Sequence, residues 1–176
     1  MNENIQFYIA QGIGFIGMVV MFIAFQQNDK RKLLWVQASA SAVFTAHFLL
    51  LGAFTGMGMN LVSIPRNLIF ARKPAKKQQL IWTAVFIAAF AAFGIITWDT
   101  VFSLFPVIAM SLSTIVFSLK EPRYIRFLSL PISGFWITYN IISFSIAGVL
   151  TEAFVICSIL IAIVRFDILK RTENKK

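Results

Sequence analysis

The sequence is poor in the residues that carry charge and chemistry in soluble proteins. Of 176 residues, seven are acidic, one is a histidine and one is a cysteine. Charged residues make up 13% of the chain and hydrophobic residues 59%, with a mean hydropathy of +0.80. Globular domains contain about half apolar and about one quarter charged residues. The composition therefore indicates a protein whose solvent is lipid.

These scarcities exclude several classes of function. The single cysteine, Cys157, lies in an apolar run, so it forms no intrachain disulfide and indicates no metal cluster. The sequence offers no nucleophile–base pair and no paired carboxylates. We therefore predict that the protein is not an enzyme and has no catalytic residues, cofactor or metal. The net charge of +9 does not indicate a nucleic-acid partner, because the basic residues lie between long apolar runs.

Seven apolar runs are long enough to be transmembrane helices, since a span needs about 20 mainly apolar residues. These runs are Ile5–Phe25, Leu33–Ala53, Thr55–Ala71, Leu80–Thr97, Thr100–Leu119, Tyr124–Ile146 and Ala147–Ile168. Breaks near Gly52–Gly56 and Ala147–Gly148 fall inside continuous apolar sequence, and we interpret both as hairpin turns. Six or eight spans remain as alternatives. The first run has no basic segment before it, so we expect an uncleaved helix rather than a signal peptide.

The basic residues predict the orientation of these spans, because Lys and Arg are retained in cytoplasmic loops. With seven spans, fifteen of the sixteen Lys and Arg residues fall on one side of the membrane. Arg66 is the sixteenth, and it lies in the half of the third span nearest that side. We therefore predict a multi-pass membrane protein, with its amino terminus outside the cytoplasm and a cytoplasmic tail at 169–176.

Seven spans with this orientation divide into three, one and three. A shift of 92 residues brings the first three spans onto the last three without a gap, including basic loops and turn glycines. Parallel repeats of this kind recur among transporters. We predict one all-helical membrane domain over 1–176, with repeats at 5–71 and 97–168 and a linker helix at 80–97.

A glycine pattern in the first span has the letters of a dinucleotide-binding motif. Gly12-x-Gly14-x-x-Gly17 matches G-x-G-x-x-G, but that motif requires a strand before it and a helix amino terminus aimed at a pyrophosphate. No strand precedes these glycines. Small residues also allow close helix packing in lipid, and we predict that role here.

The third span carries an unusual polar face. Asn60, Ser63 and Asn67 lie at helical spacing on one side, with Arg66 beside them. Polar groups inside a membrane are costly and normally face the interior of a bundle. One interpretation is that Arg66 extends to the cytoplasmic interface while the amides hold helices together. The other is a polar binding surface.

The last two spans offer further candidates. Trp136, Tyr139 and Asn140 share one stripe of the sixth span, and aromatic rings beside an amide suit stacking on a flat or sugar-like solute. The alternative is an interfacial aromatic belt with ordinary packing. Glu152, about one turn into the seventh span, either binds a solute, couples to protons or reaches the outer interface. His47 alone makes no metal site.

Several segments together resemble the YgjV-like family of bacterial inner-membrane proteins over nearly the whole chain. They are His47–Ala53, Arg66–Asn67, Trp136–Asn140, Ala147–Glu152 and Arg165–Asp167. That family in turn resembles the SWEET sugar facilitators, the PQ-loop transporters and the PnuC vitamin transporters. The resemblance implies a transporter fold of three, one and three helices without naming a cargo. The Pro-Gln pair that names the PQ-loop group is intact at neither expected position.

The leading hypothesis is a facilitator for a small polar solute that rocks one three-helix bundle against the other within the lipid bilayer. The predicted substrate-binding residues are Asn60, Ser63, Asn67, Trp136, Tyr139 and Asn140, with Glu152 at the outer mouth. The alternative is a receptor or scaffold protein that has a transporter-like fold. The sequence predicts neither the substrate nor the oligomeric state.

Overall fold

A computed structural model describes residues 3–27, 29–117, 119 and 122–164 of the chain. These residues form seven α-helices and one short 3-10 turn, so the all-helical class is confirmed. The helices are α1 (Glu3–Phe25), α2 (Lys30–Leu50), α3 (Phe54–Ala71), α4 (Lys76–Ile96), α5 (Leu104–Val116), α6 (Pro122–Ile142) and α7 (Ile146–Ala162), with the 3-10 turn at Val101–Ser103. The predicted helix end at Ile168 and the tail at 169–176 lie outside the described residues.

The helices have the length and surface of a membrane protein. Within the described residues, α1, α2 and α4 are long and apolar enough to cross a membrane, while Val101–Val116 and α7 are shorter apolar helices. Large apolar side chains are exposed on the outside of the bundle, among them Ile16, Leu80 and Ile96. Polar side chains such as Asn67 and Ser63 are buried inside it. This inverted distribution is typical of a bundle that faces lipid.

Helices α2 and α4 begin three and four residues earlier than the apolar runs predict. The runs start at Leu33 and Leu80, whereas α2 starts at Lys30 and α4 at Lys76. Asp29 caps α2, because its side chain accepts a hydrogen bond of 3.0 Å from the backbone N–H of Lys32. That hydrogen bond lowers the pKa of the Asp29 carboxyl from its ordinary value. Hydropathy finds the apolar centre of a helix, but capping decides where it starts.

The connection between α6 and α7 corrects a predicted boundary. The break was expected at Ala147–Gly148 but lies at 143–145, and both predicted residues belong to the first turn of α7. The reason is that Ser145 is the N-cap of α7, and its hydroxyl accepts a 3.1 Å hydrogen bond from the N–H of Gly148. Phe144 in this connection has a left-handed backbone with φ of 52°. The other predicted hairpin turn is present at 51–53, where Gly52 has φ of 72°.

Helix packing organises the bundle around a central space. Helix α2 packs between α1 and α3, and α6 packs between α5 and α7. Helix α4 packs against α3 and α5, while α1 meets α7 and α3 meets α5. The buried apolar cluster includes Phe48, Met59, Phe90, Trp136 and Tyr139. The first and last groups of three helices therefore face each other across this core.

The glycine pattern in α1 serves packing at two of its three positions. Gly14 lies against the His47 ring and Ala147, and Gly17 lies against the Phe44 ring. Gly12 is exposed and has open space around it. The close approach of α1 to α2 and α7 therefore depends on Gly14 and Gly17, as expected for small residues between membrane helices.

Candidate functional site

A central cavity of about 590 Å³ lies between the helices of the bundle. Six helices contribute to its lining, and α4 is not among them. At one end the lining includes the exposed side chains of Phe25 and Lys30, where α1 ends and α2 begins. At the other end it includes Asn140 and Gly148, which are buried. The cavity is therefore accessible from one end of the bundle and closed at the other.

Five of the seven predicted site residues line this one cavity. They are Asn60, Asn67, Trp136, Asn140 and Glu152. They come from α3, α6 and α7, so the structure brings together residues that are up to 92 positions apart in sequence. Their role in binding a solute stays a prediction.

Two predicted residues are not part of the lining. The Ser63 hydroxyl donates a 2.7 Å hydrogen bond to the Met59 carbonyl within α3 and is fully buried. The Tyr139 hydroxyl accepts a 2.8 Å hydrogen bond from the N–H of Gly56, which ties α6 to α3. Helical spacing placed both residues on the correct face, but these contacts satisfy their hydroxyl groups away from the cavity.

Arg66 lines the cavity wall and does not extend to solvent. Its side chain is 4% exposed, and the guanidinium donates to Ser113 Oγ at 2.8 Å and to Thr114 Oγ1 at 3.1 Å, both on α5. It also donates to Asn67 Oδ1 at 3.1 Å. The rings of Phe90 and Phe117 lie 5.5 and 4.9 Å from its central carbon. The interpretation that Arg66 reaches the interface is therefore wrong, since neutral acceptors and rings hold it inside the bundle.

Glu152 lies in the cavity wall beside α6. The hydroxyl of Ser133, which is 3% exposed and also lines the cavity, lies near the carboxyl of Glu152. Within the part of the chain that the structure describes, no cationic side chain forms an ion pair with Glu152. Its position at an outer mouth of the transport path stays a prediction.

Asn140 has an unsatisfied hydrogen-bonding group. Its side chain is 2% exposed and lines the cavity, and its amide oxygen has no hydrogen-bond partner among the described residues. The backbone of Gly148 lies directly against this oxygen. A buried polar atom without a partner costs about 1–3 kcal/mol, so native proteins keep few of them. The Asn140 oxygen is therefore one of the few buried polar atoms of the described chain without a partner.

The closed end of the cavity is sealed by hydrogen bonds between helices that are distant in sequence. His47 Nδ1 donates to the Ala10 carbonyl, and Nε2 pairs with the Ser145 hydroxyl, both at 2.7 Å. Gln11 donates to the Phe144 carbonyl at 2.7 Å and accepts from the N–H of Ile146 at 3.1 Å. These contacts fasten α1 and α2 to the start of α7.

Two of the residues at this site were missed by the sequence analysis. Ser129 and Ser133 line the cavity together with Trp136 and Asn140. Their spacing of i, i+4, i+7 and i+11 along α6 places all four on one face. The same spacing identified the polar face of α3, so this signal was present in the sequence of α6.

Comparison with known proteins places the chain among membrane proteins of bacteria. The family model Imp-YgjV, described as a bacterial inner membrane protein, matches residues 8–170. The chain belongs to the YgjV family. It is 26% identical to the inner membrane protein YgjV of Escherichia coli (strain K12) over 147 residues, which cover 83% of this chain and 78% of that protein. No solved structure matches the chain.

Membership in the YgjV family agrees with the apolar helices, and the protein is a multi-pass protein of the bacterial inner membrane. The comparisons do not test the resemblance to SWEET, PQ-loop and PnuC transporters, which stays a prediction. The comparisons also assign no substrate. The function is therefore inferred from the cavity.

Proposed function

We propose that the protein is a facilitator for a small polar solute and works by alternating access. The observation that carries this proposal is the central cavity, which has polar groups from α3, α6 and α7 and is accessible from one end. Polar groups that converge on a cavity of this size are typical of small-molecule sites. Catalysis needs a nucleophile or an acid–base pair, and the lining supports binding better than chemistry.

A correspondence between helix bounds at a fixed offset in the sequence supports this mechanism. The 92-residue offset carries α2 (Lys30–Leu50) onto 122–142, the bounds of α6, and carries α3 onto 146–163, where α7 spans Ile146–Ala162. It also carries Gly52 onto Phe144, the two left-handed residues of the hairpin turns. We infer two parallel repeats with α4 as the linker. Rocking of one repeat against the other would open the cavity alternately to the two sides.

We infer seven spans with the amino terminus in the periplasm. The support is the sorting of basic connections to one end of the bundle, where positive loops stay cytoplasmic. A reporter fused after Lys176 should then report a cytoplasmic location. A reporter inserted between Trp98 and Asp99 should report a periplasmic location. Activity of both reporters on the same side would contradict the seven-span count.

Asn140 provides the test of the binding cavity. The purified protein is first screened by thermal shift against sugars, nucleosides, vitamins and amines. For a solute that stabilises the protein, Asn140→Leu should weaken binding by about 0.5–1.5 kcal/mol or more, because a hydrogen bond is lost. The unfolding temperature without solute should stay the same or rise, because the change removes an unpaired buried acceptor.

Ser63→Ala is the matched control for this experiment. Ser63 lies on the polar face of α3 together with Asn60 and Asn67. Its hydroxyl donates a hydrogen bond within the helix, so solute binding should not change. Asn67→Ala is a poorer probe, because Asn67 also accepts hydrogen bonds from Arg66. If no solute stabilises the protein, or if Asn140→Leu binds as well as the unmodified chain, the receptor or scaffold function replaces the facilitator.

A further inference from the structure

We propose that the closed end of the cavity binds the protonated amine of its solute, held by the carboxyl group of Glu152. This inference rests on the proposed function and adds the chemical class of the solute. The polar solute would then be an organic cation of low molecular weight, such as a primary aliphatic or aryl-alkyl amine.

The first support is the carboxyl group of Glu152. Within the described residues, the neutral hydroxyl of Ser133 lies near this carboxyl, and no cation neutralises it. An isolated carboxylate away from water is costly unless a cation or several donors compensate it. An ammonium group supplies both the opposite charge and three N–H donors.

The second support is the position of Glu152 at the closed end of the cavity. The side chain of Asn140 lies against Gly148, and Gly148 and Glu152 are one turn apart on the same face of α7. Asn140 and Glu152 therefore lie at the same end of the cavity. The close approach of Asn140 to α7 is possible because residue 148 has no side chain.

The third support is the aromatic wall beside these residues. Phe48 and Trp136 both line the cavity, with ring centres 6.1 Å apart and planes inclined by 27°. Aromatic faces attract ammonium groups, most strongly when water is excluded, and Trp is the best of the three ring types. They also provide apolar surface for the carbon skeleton of the amine.

The cation already present in the wall does not occupy this position. Arg66 is held by Ser113, Thr114 and Asn67, and its guanidinium lies between two phenylalanine rings. It forms no ion pair with Glu152 within the described chain. The carboxylate and the guanidinium thus mark separate parts of the cavity, and no cation of the described residues pairs with the carboxylate.

Matched pairs of solutes test this inference on the full-length protein in nanodiscs. Phenethylamine and tyramine are compared with 2-phenylethanol and 4-hydroxyphenethyl alcohol, in which a hydroxyl replaces the amine. We expect the amines to bind at least tenfold more tightly. Glu152→Gln keeps the shape and the contact with Ser133 but removes the charge, and it should weaken amine binding roughly thirtyfold or more while leaving alcohol binding unchanged.

Asp99→Asn is the control variant, since Asp99 is an exposed carboxyl outside the cavity and its loss should not alter amine binding. Glu152→Gln must also retain its unfolding temperature without solute, which separates a binding defect from misfolding. If sugars or anions bind in an Asn140-dependent manner and Glu152→Gln has no effect, the facilitator stands and the amine inference is overturned. If no solute of any class binds, both proposals fail.

Discussion

Gly14→Ala is expected to lower the free energy of unfolding by about 2–3 kcal/mol, measured by titration with a denaturing detergent. A β-carbon on residue 14 would lie 2.7 Å from His47 Nδ1 and 2.9 Å from the β-carbon of Ala147. The His47 ring has little freedom to move, because both of its nitrogens are hydrogen-bonded, to Ala10 and to Ser145. The added methyl group must therefore separate α1 from its neighbours or break these buried hydrogen bonds.

Gly12→Ala is the matched control, two residues away in the same helix. A β-carbon at this position meets nothing within 4 Å, so the only effect is the higher helix propensity of alanine. Stability should stay the same or rise by up to about 1 kcal/mol. If Gly14→Ala and Gly12→Ala lowered the free energy of unfolding equally, the packing of α1 against His47 would be contradicted.

Arg66→Met is expected to destabilise the protein by about 3 kcal/mol, seen as a lower unfolding temperature and a lower yield of folded protein. Methionine retains the apolar contact with Phe90 and Phe117 but provides no N–H donors. Asn67 Oδ1 loses the hydrogen bond from Arg66, which leaves a buried acceptor unpaired at about 1–3 kcal/mol. The charged hydrogen bonds that connect α3 to α5 are lost as well.

Arg72→Met provides the comparison for this substitution. Arg72 is exposed just after α3, so its replacement should change stability by no more than about 0.5 kcal/mol. Replacement of a buried ion by an apolar side chain is sometimes neutral, because the ion no longer has to be desolvated. If Arg66→Met were as stable as Arg72→Met, Arg66 would owe its place in the cavity wall to function and not to folding.

The sequence predicted the number of helices and their centres because apolar runs of membrane length are a strong local signal. It misplaced the start of α2 and the end of α6, because these boundaries depend on capping by Asp29 and Ser145. The 3-10 turn before α5 was also missed, since Thr100 through Ser103 read as part of one apolar run. A capping hydrogen bond does not change the hydropathy of a segment, so hydropathy does not locate such boundaries.

The candidate site was predicted at the level of helix faces. Periodicity placed Asn60, Asn67, Trp136 and Asn140 on inward stripes, and all four line the cavity. It gave no information on which partner each side chain meets on another helix. The pairing of Arg66 with Ser113 joins residues 47 positions apart, and no spacing rule within one helix predicts it.

In the proposed facilitator, the sealing contacts at the closed end determine how often that end opens. Four hydrogen bonds join the first three helices to α6, α7 and their connection there. Gln11 makes two of them, His47 makes one with Ser145, and one joins Gly56 to Tyr139. Each hydrogen bond contributes about 1 kcal/mol net to the closed form. Opening breaks all four, which would leave about one molecule in a thousand in the opened form. A solute that enters through this end meets a correspondingly small competent population, and its apparent affinity falls by the same factor. In the proposed facilitator, removal of one contact would raise that population about fivefold, so these four hydrogen bonds bias the direction from which the cavity fills.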